Sequence, residues 1–194
     1  MTGPKPQITK EKLLKLLTKY DVNLEKEKFL IFGIRGYYLN TYGVKGKNDR
    51  GVWDDAIGMI DINGNYVVFR ANVDPSSVRK GRGTGAGKGM ASLKAMFHKD
   101  MWMVGRHKKI YPALRQASAV TVIRDGLDGP YEDTGTSFMI NGHPGGAVGT
   151  SSAGCQTFMR SDWPAAIAFV VSEMKKFEKT RVSYLLMEND GSIA

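Results

Sequence analysis

Cys155 is the only cysteine in a chain of 194 residues, and His143, one of three histidines, lies twelve positions before it. A thiol and an imidazole are the pair that nucleophilic acyl transfer requires. The thiol loses its proton near neutral pH only beside a base or a positive neighbour, since its ordinary pKa is about 8.5. The reaction also needs backbone N–H groups facing the oxyanion of the tetrahedral intermediate. The segment GTSSAGCQTF at 149–158 supplies small residues before the sulfur, and Gly154 lets the chain turn sharply there. The amides around Gly154 and Cys155 are the expected oxyanion donors, with Ser152 ordering the loop or meeting substrate. His143 follows SFMIN, which reads as a strand. Pro144 ends that strand, and Gly145 and Gly146 free the chain to fold back toward the cysteine. The competing reading makes Cys155 a small buried hydrophobe, against which stand its polar, glycine-rich surroundings. The partner that orients the His143 ring stays open among Asp133, Asn141 and a backbone carbonyl.

Two other chemistries fit less well. The stretch GRGTGAGKGMAS resembles a phosphate-binding loop, but that pattern needs glycine at 82 and a hydroxyl at 89, where the chain has Arg82 and Gly89. His98, His107 and His143 include no pair spaced to share one helical face, so no metal and no cofactor is expected. Surface placement accounts for His98 and His107.

The elements that must position these groups follow from patterning. Residues 1–7 read as a loose tail, and Thr9 as the N-cap of a helix over 10–20, with Ile8 and Leu13 as a hydrophobic staple. FLIFGIRGYY predicts a buried strand, and AIGMIDINGNYVVFRANV a hairpin turning at Asn63-Gly64. Further strands are expected at 118–124, 136–141 and VSYLLM, and a helix over 163–179. Residues 79–89, RKGRGTGAGKG, read as the most flexible part. The whole predicts an α+β fold on a mainly antiparallel sheet with a helix near each end. Residues 1–25 are expected to form the tail and amphipathic helix, and 26–194 a single domain, catalytic if the thiol and imidazole pair.

The formal net charge is +9, and nine basic residues against Asp100 give 79–109 a balance of +8. Such a stretch is either a solvated face or an attraction for a polyanion. Tyr111, Trp102 and Phe97 lie among its charges as rings on which bases could stack, yet no nucleic-acid-binding motif accompanies them, and nucleic acid is not the expected partner. No run reaches the about 20 apolar residues of a transmembrane helix, and no export signal is apparent.

INGHPGG followed by GTSSAGCQT resembles the active-site region of the L,D-transpeptidase (YkuD-like) catalytic domain, and is closer still to phage-type relatives with a Ser-Ser-x-Gly-Cys-Gln signature. The resemblance covers these two short segments closely and the surrounding strands loosely. It implies a β-sandwich core, Cys155 as nucleophile, His143 as base, and Ser152 and Gly154 as the Ser/Thr and glycine of the motif. Ala153 stands where a second histidine is common, and Gln156 and Thr157 where a basic residue usually follows. The implied reaction is acyl transfer on peptidoglycan stem peptides. With water as acceptor it makes a cysteine L,D-carboxypeptidase or endopeptidase, and with an amine an L,D-transpeptidase. Ser151, Gln156 and Asn141 are expected to contact substrate. Asp54 and Asp55, with Asn48 and Asp49 in NDRGVWDD, read either as a solvated loop or as contacts for the amine of a diamino acid. The expected setting is a phage-type endolysin made in the host cytoplasm and released to the wall by a separate pore-forming protein. Its basic stretch would then be drawn to anionic envelope polymers. The rival is a non-catalytic module that binds wall or nucleic acid.

Overall fold

A computed structural model of the protein describes residues 7–81, 87–191 and 193. The predicted tail and the glycine-rich segment 79–89 therefore lie partly outside the described residues. The first helix, α1 (Lys10–Lys19), starts as expected: Thr9 Oγ1 accepts from Lys12 N, and Ile8 and Leu13 are both buried. A single turn, α2 (Leu24–Glu27), leads into β1 (Phe29–Arg35). The hairpin of β2 (Asp55–Asp61) and β3 (Tyr66–Asn72) follows. Next come β4 (Ala91–Leu93), β5 (Phe97–His107), β6 (Tyr111–Gln116), β7 (Val120–Gly126) and β8 (Gly129–Gly135). The chain ends with β9 (Gly142–Pro144), β10 (Gln156–Phe158), α3 (Trp163–Lys176) and β11 (Val182–Glu188).

Eight strands close into a barrel in the order β1-β11-β5-β6-β9-β10-β3-β2, and β4-β7-β8 form a separate sheet. The α+β class and the predominance of antiparallel pairs agree with the sequence. The expected sandwich is instead this closed barrel, with two parallel seams, β1–β11 and β9–β10. The apolar runs FLIFGI and VSYLLM are continuous because both of their faces are covered. Phe29 and Ile31 join the cluster that contains Trp102, Tyr184 and α3 residues Trp163, Ala166, Val170 and Met174. Leu30, Phe32 and Ile34 join a second cluster with Leu13, Leu16 and Leu17 of α1. The amphipathic stripe of α1 is thus docked on the barrel. Among the described residues no helix is long and apolar enough to cross a membrane.

One expectation at the site is corrected. Residues 136–141 form no strand, and His143 itself sits in the short strand β9. At Ile140 the backbone bonds to side chains rather than to a ladder. Trp102 Nε1 donates to Ile140 O at 2.9 Å, and Ile140 N donates to Gln116 Oε1 at 3.0 Å. Met139 adopts φ 57°, a left-handed conformation outside the extended region of a regular strand.

Candidate active site

The parallel seam explains how residues twelve apart in sequence come to one cavity. Thr157 of β10 lies opposite His143 of β9, and Gln156 opposite Gly142, so Cys155 enters β10 beside Asn141. Residues 145–155 make the crossing. Gly145 is required there because a Cβ would lie 2.4 Å from the Trp53 ring, and Gly154 because its φ is 145° and a Cβ would meet Ala91 O at 2.4 Å. Ser76 fastens the loop: its N–H donates to Ser152 O at 2.8 Å, and its hydroxyl accepts from Ser152 N at 2.7 Å.

Cys155, His143, Asn141, Ser151 and Gly154 all line one cavity of about 540 Å³. The sulfur and the imidazole share this space without sharing a proton. Cys155 Sγ donates to Met139 O at 3.4 Å, while His143 Nδ1 lies 2.7 Å from Pro144 O. Pro144 O is only an acceptor, so Nδ1 carries the proton and Nε2 keeps its lone pair. The partner left open by the sequence is therefore a backbone carbonyl. Asp133 pairs with Arg124 and Lys88, and Asn141 reaches His107 Nδ1 at 3.4 Å.

Burial pushes the His143 pKa down to about 4, with His107 and Lys108 adding to the effect and the Pro144 bond opposing it. Burial pushes the half-buried Cys155 thiol up, while the Asn141 backbone N–H and the Lys108 charge pull the other way. At neutral pH the cavity therefore holds a neutral thiol and a neutral imidazole. That arrangement supports general-base activation in the act of attack rather than a standing thiolate–imidazolium pair.

Ser152 supports the loop and does not line the cavity. Its hydroxyl donates to Cys155 O at 2.7 Å and accepts from Gly154 N at 3.0 Å. The Gly154 amide is thereby occupied, whereas the Cys155 N–H has no acceptor among the described residues. Of the two expected oxyanion donors, the cysteine's own amide is the free one.

Three expected substrate contacts lie elsewhere. Gln156 is fully buried, donating to Val73 O at 3.0 Å and accepting from Tyr184 OH at 2.9 Å. It braces the barrel interior and does not face the cavity. Asp54 and Asp55 are buried too, because the strand β2 begins at Asp55 and carries both inside. Asp55 accepts from Gly36 N at 2.6 Å and Val73 N at 2.7 Å, and Asp54 from Asp49 N at 2.8 Å. These carboxylates hold the connection 36–54 against the barrel. Asn48 and Asp49 serve the same connection, through Asp74 Oδ2 at 2.8 Å and Val44 N at 2.6 Å.

The structure adds groups that the sequence reading passed over. His107, expected on the open surface, is half-buried, with its ring centroid 4.3 Å from that of His143 and 5.5 Å from Tyr111. It arrives from the β5–β6 hairpin and puts a second imidazole at the site. Its signal was the hairpin register, which sets His107 opposite Tyr111. His98 is buried as well, bonded to Lys94 O at 2.9 Å, and takes no part. Trp102 is fully buried and offers no ring to a base. Of the eight non-glycine residues with positive φ among the described residues, Lys108, Lys109, Met139 and Ser151 line this cavity. Such strain gathers where a fold fixes a functional geometry. Among the described residues no group of three His, Cys, Asp or Glu side chains is placed to hold a metal ion.

Comparison with protein-family models, with curated proteins and with solved structures finds no match to this chain.

Proposed function

We propose that the protein is a cysteine peptidase that cleaves peptidoglycan stem peptides or cross-links, an L,D-carboxypeptidase or endopeptidase of the phage-endolysin type. The observation that carries this reading is the single cavity in which Cys155 and a tautomer-fixed His143 face one space. The choice of substrate rests on the resemblance of the two motif segments to the L,D-transpeptidase catalytic domain.

In this mechanism Sγ turns from Met139 O toward the carbonyl carbon of the scissile bond as His143 Nε2 takes its proton. The carbonyl oxygen becomes an oxyanion facing the Cys155 N–H. Collapse of the intermediate breaks the C–N bond, and the proton on Nε2 passes to the leaving amine. Water then attacks the thioester, its proton goes to Nε2, and the thiolate leaves and is reprotonated. An amine in place of that water makes the same site a transpeptidase.

Purified protein incubated with peptidoglycan, followed by mass analysis of soluble fragments, tests the assignment. Release of D-residues or uncoupled stems that disappears in Cys155→Ala supports it. A preparation that binds the wall and releases nothing is a binding module and refutes it.

A further inference from the structure

The β5–β6 hairpin reverses on Lys108 and Lys109, at φ 48° and 63°, with Ile110 N donating to His107 O at 2.9 Å. A two-residue turn with both central φ positive favours Asn-Gly. A side chain in the left-handed region crowds its Cβ against the following carbonyl oxygen, so two lysines are a poor choice for the turn itself. Their position offers the compensation: both line the cavity that holds Cys155. Arg106 clamps the turn from below by donating to Lys109 O at 3.2 Å and to Ile110 O.

The charge in this cavity is one-sided. Arg106, Lys108, Lys109, Arg115 and Arg160 line it, and no aspartate or glutamate does. Arg106 is committed to the turn, and Arg160 donates to Gly145 O at 3.1 Å. Lys108, Lys109 and Arg115 make no ion pair among the described residues. Elsewhere in the same basic stretch counter-ions are built in, Asp133 for Lys88 and Glu132 for Lys94. The Lys108 ammonium is also near enough to act on Cys155, His143 and His107 together.

We propose that this turn is the substrate-recognition element of the site, with Lys108, Lys109 and Arg115 holding a free carboxylate of the acyl donor close to the bond that Cys155 attacks. The proposal rests on the peptidase reading above and narrows it to acidic peptides. A ligand of the site must offer Cys155 an acyl carbon as well as an anion, which favours a peptide carboxylate over a polymer phosphate. A cavity of about 540 Å³ takes a few residues of peptide.

The test reads binding, so that it stands apart from catalysis. Full-length Cys155→Ala is titrated calorimetrically with a short N-acetylated peptide ending in a free carboxylate, with its C-terminal amide, and with glycerol phosphate. The free acid is expected to bind roughly tenfold tighter than the amide, with glycerol phosphate weaker than the acid. Adding Lys108→Asn and Lys109→Gly installs the preferred turn sequence, preserves the hairpin, and is expected to abolish most of the acid preference. Equal affinities for acid and amide, no measurable binding, glycerol phosphate binding as tightly as the acid, or an undiminished preference in the turn variant each overturn the proposal. Acid-selective binding by a protein that releases nothing from the wall upholds the recognition and refutes the peptidase reading alone.

Discussion

Two regions of the barrel concentrate charge and use it in contrary ways. Around Arg35 the acids Asp54, Asp55 and Asp74 are buried and engaged with backbone amides and with one another's neighbours. Arg35 pairs with Asp74 at 3.1 Å and with Glu188, and donates to Leu93 O at 2.8 Å. In the cavity of Cys155, Lys108, Lys109 and Arg115 face solvent with no carboxylate lining the same space. Buried charge survives only where it is paired or hydrogen-bonded, so the acid cluster reads as a fastening of the 36–54 connection. Unpaired charge on a concave surface is tolerated by water and left for a ligand. Residue type alone does not separate these roles; the surroundings do.

The sharpest way to break that comparison is to delete one group from each region. Asp55→Ala orphans two buried N–H donors and is expected to lose about 3–5 kcal/mol of stability, read from urea unfolding. Cys155→Ala is expected to change stability by less than about 1 kcal/mol while abolishing release from the wall. A stable, active Asp55→Ala protein would erase the distinction.

The two regions should also respond oppositely to pH. His143, held down to about 4, prefers its neutral form in the folded state. Its contribution is complete above the ordinary histidine value of 6.5 and is lost as pH falls toward about 4, at most about 3 kcal/mol. Asp54, pushed up to about 6 chiefly by burial, also prefers its neutral form. It therefore contributes below its ordinary value of 3.8 and loses that contribution as pH rises through about 6. Urea unfolding between pH 4 and 7 should show less acid destabilisation in His143→Gln, and higher stability at pH 7 in Asp54→Asn.

A smaller effect is expected at the second imidazole. His107→Phe keeps a ring against His143 but removes a neighbour that disfavours its protonation, so the acid limb of the rate profile should move to higher pH, with a several-fold loss at pH 5. An unmoved limb would reduce His107 to packing. The smallest effect belongs to charge that is neither buried nor in the cavity. Lys94→Ala breaks an exposed pair with Glu132 and should shift stability by less than about 1 kcal/mol.

Legibility in the sequence followed the same division. FLIFGI, VSYLLM and the Asn63-Gly64 hairpin were readable because burial on both faces and a turn signal leave marks in composition. β5, β6 and β8 were not, since their half-exposed, charged or glycine-containing strands lack an apolar period. SFMIN alternates like a strand, but Trp102 and Gln116 take its backbone bonds from more than twenty residues away. Cys155, His143, Gly154, Asn141 and Ser151, singled out in two nearby segments, do line one cavity, because adjacent strands carry those segments. His107, Tyr111 and Lys108 were not placed there because a hairpin delivers them from a distance that spacing cannot express. Asp54 and Asp55 were misplaced because a pair of acids at the entrance of a strand looks the same whether the strand begins inside the barrel or outside it.

The central claim, that Cys155 attacks an acyl group with His143 as its base, is tested most directly by intact-protein mass spectrometry during turnover of a wall peptide. The account predicts a transient adduct with the mass of the acyl fragment on Cys155, absent in Cys155→Ala and slow to form in His143→Ala. Peptide cleaved with no adduct on Cys155, at a rate that Cys155→Ala leaves unchanged, would contradict it.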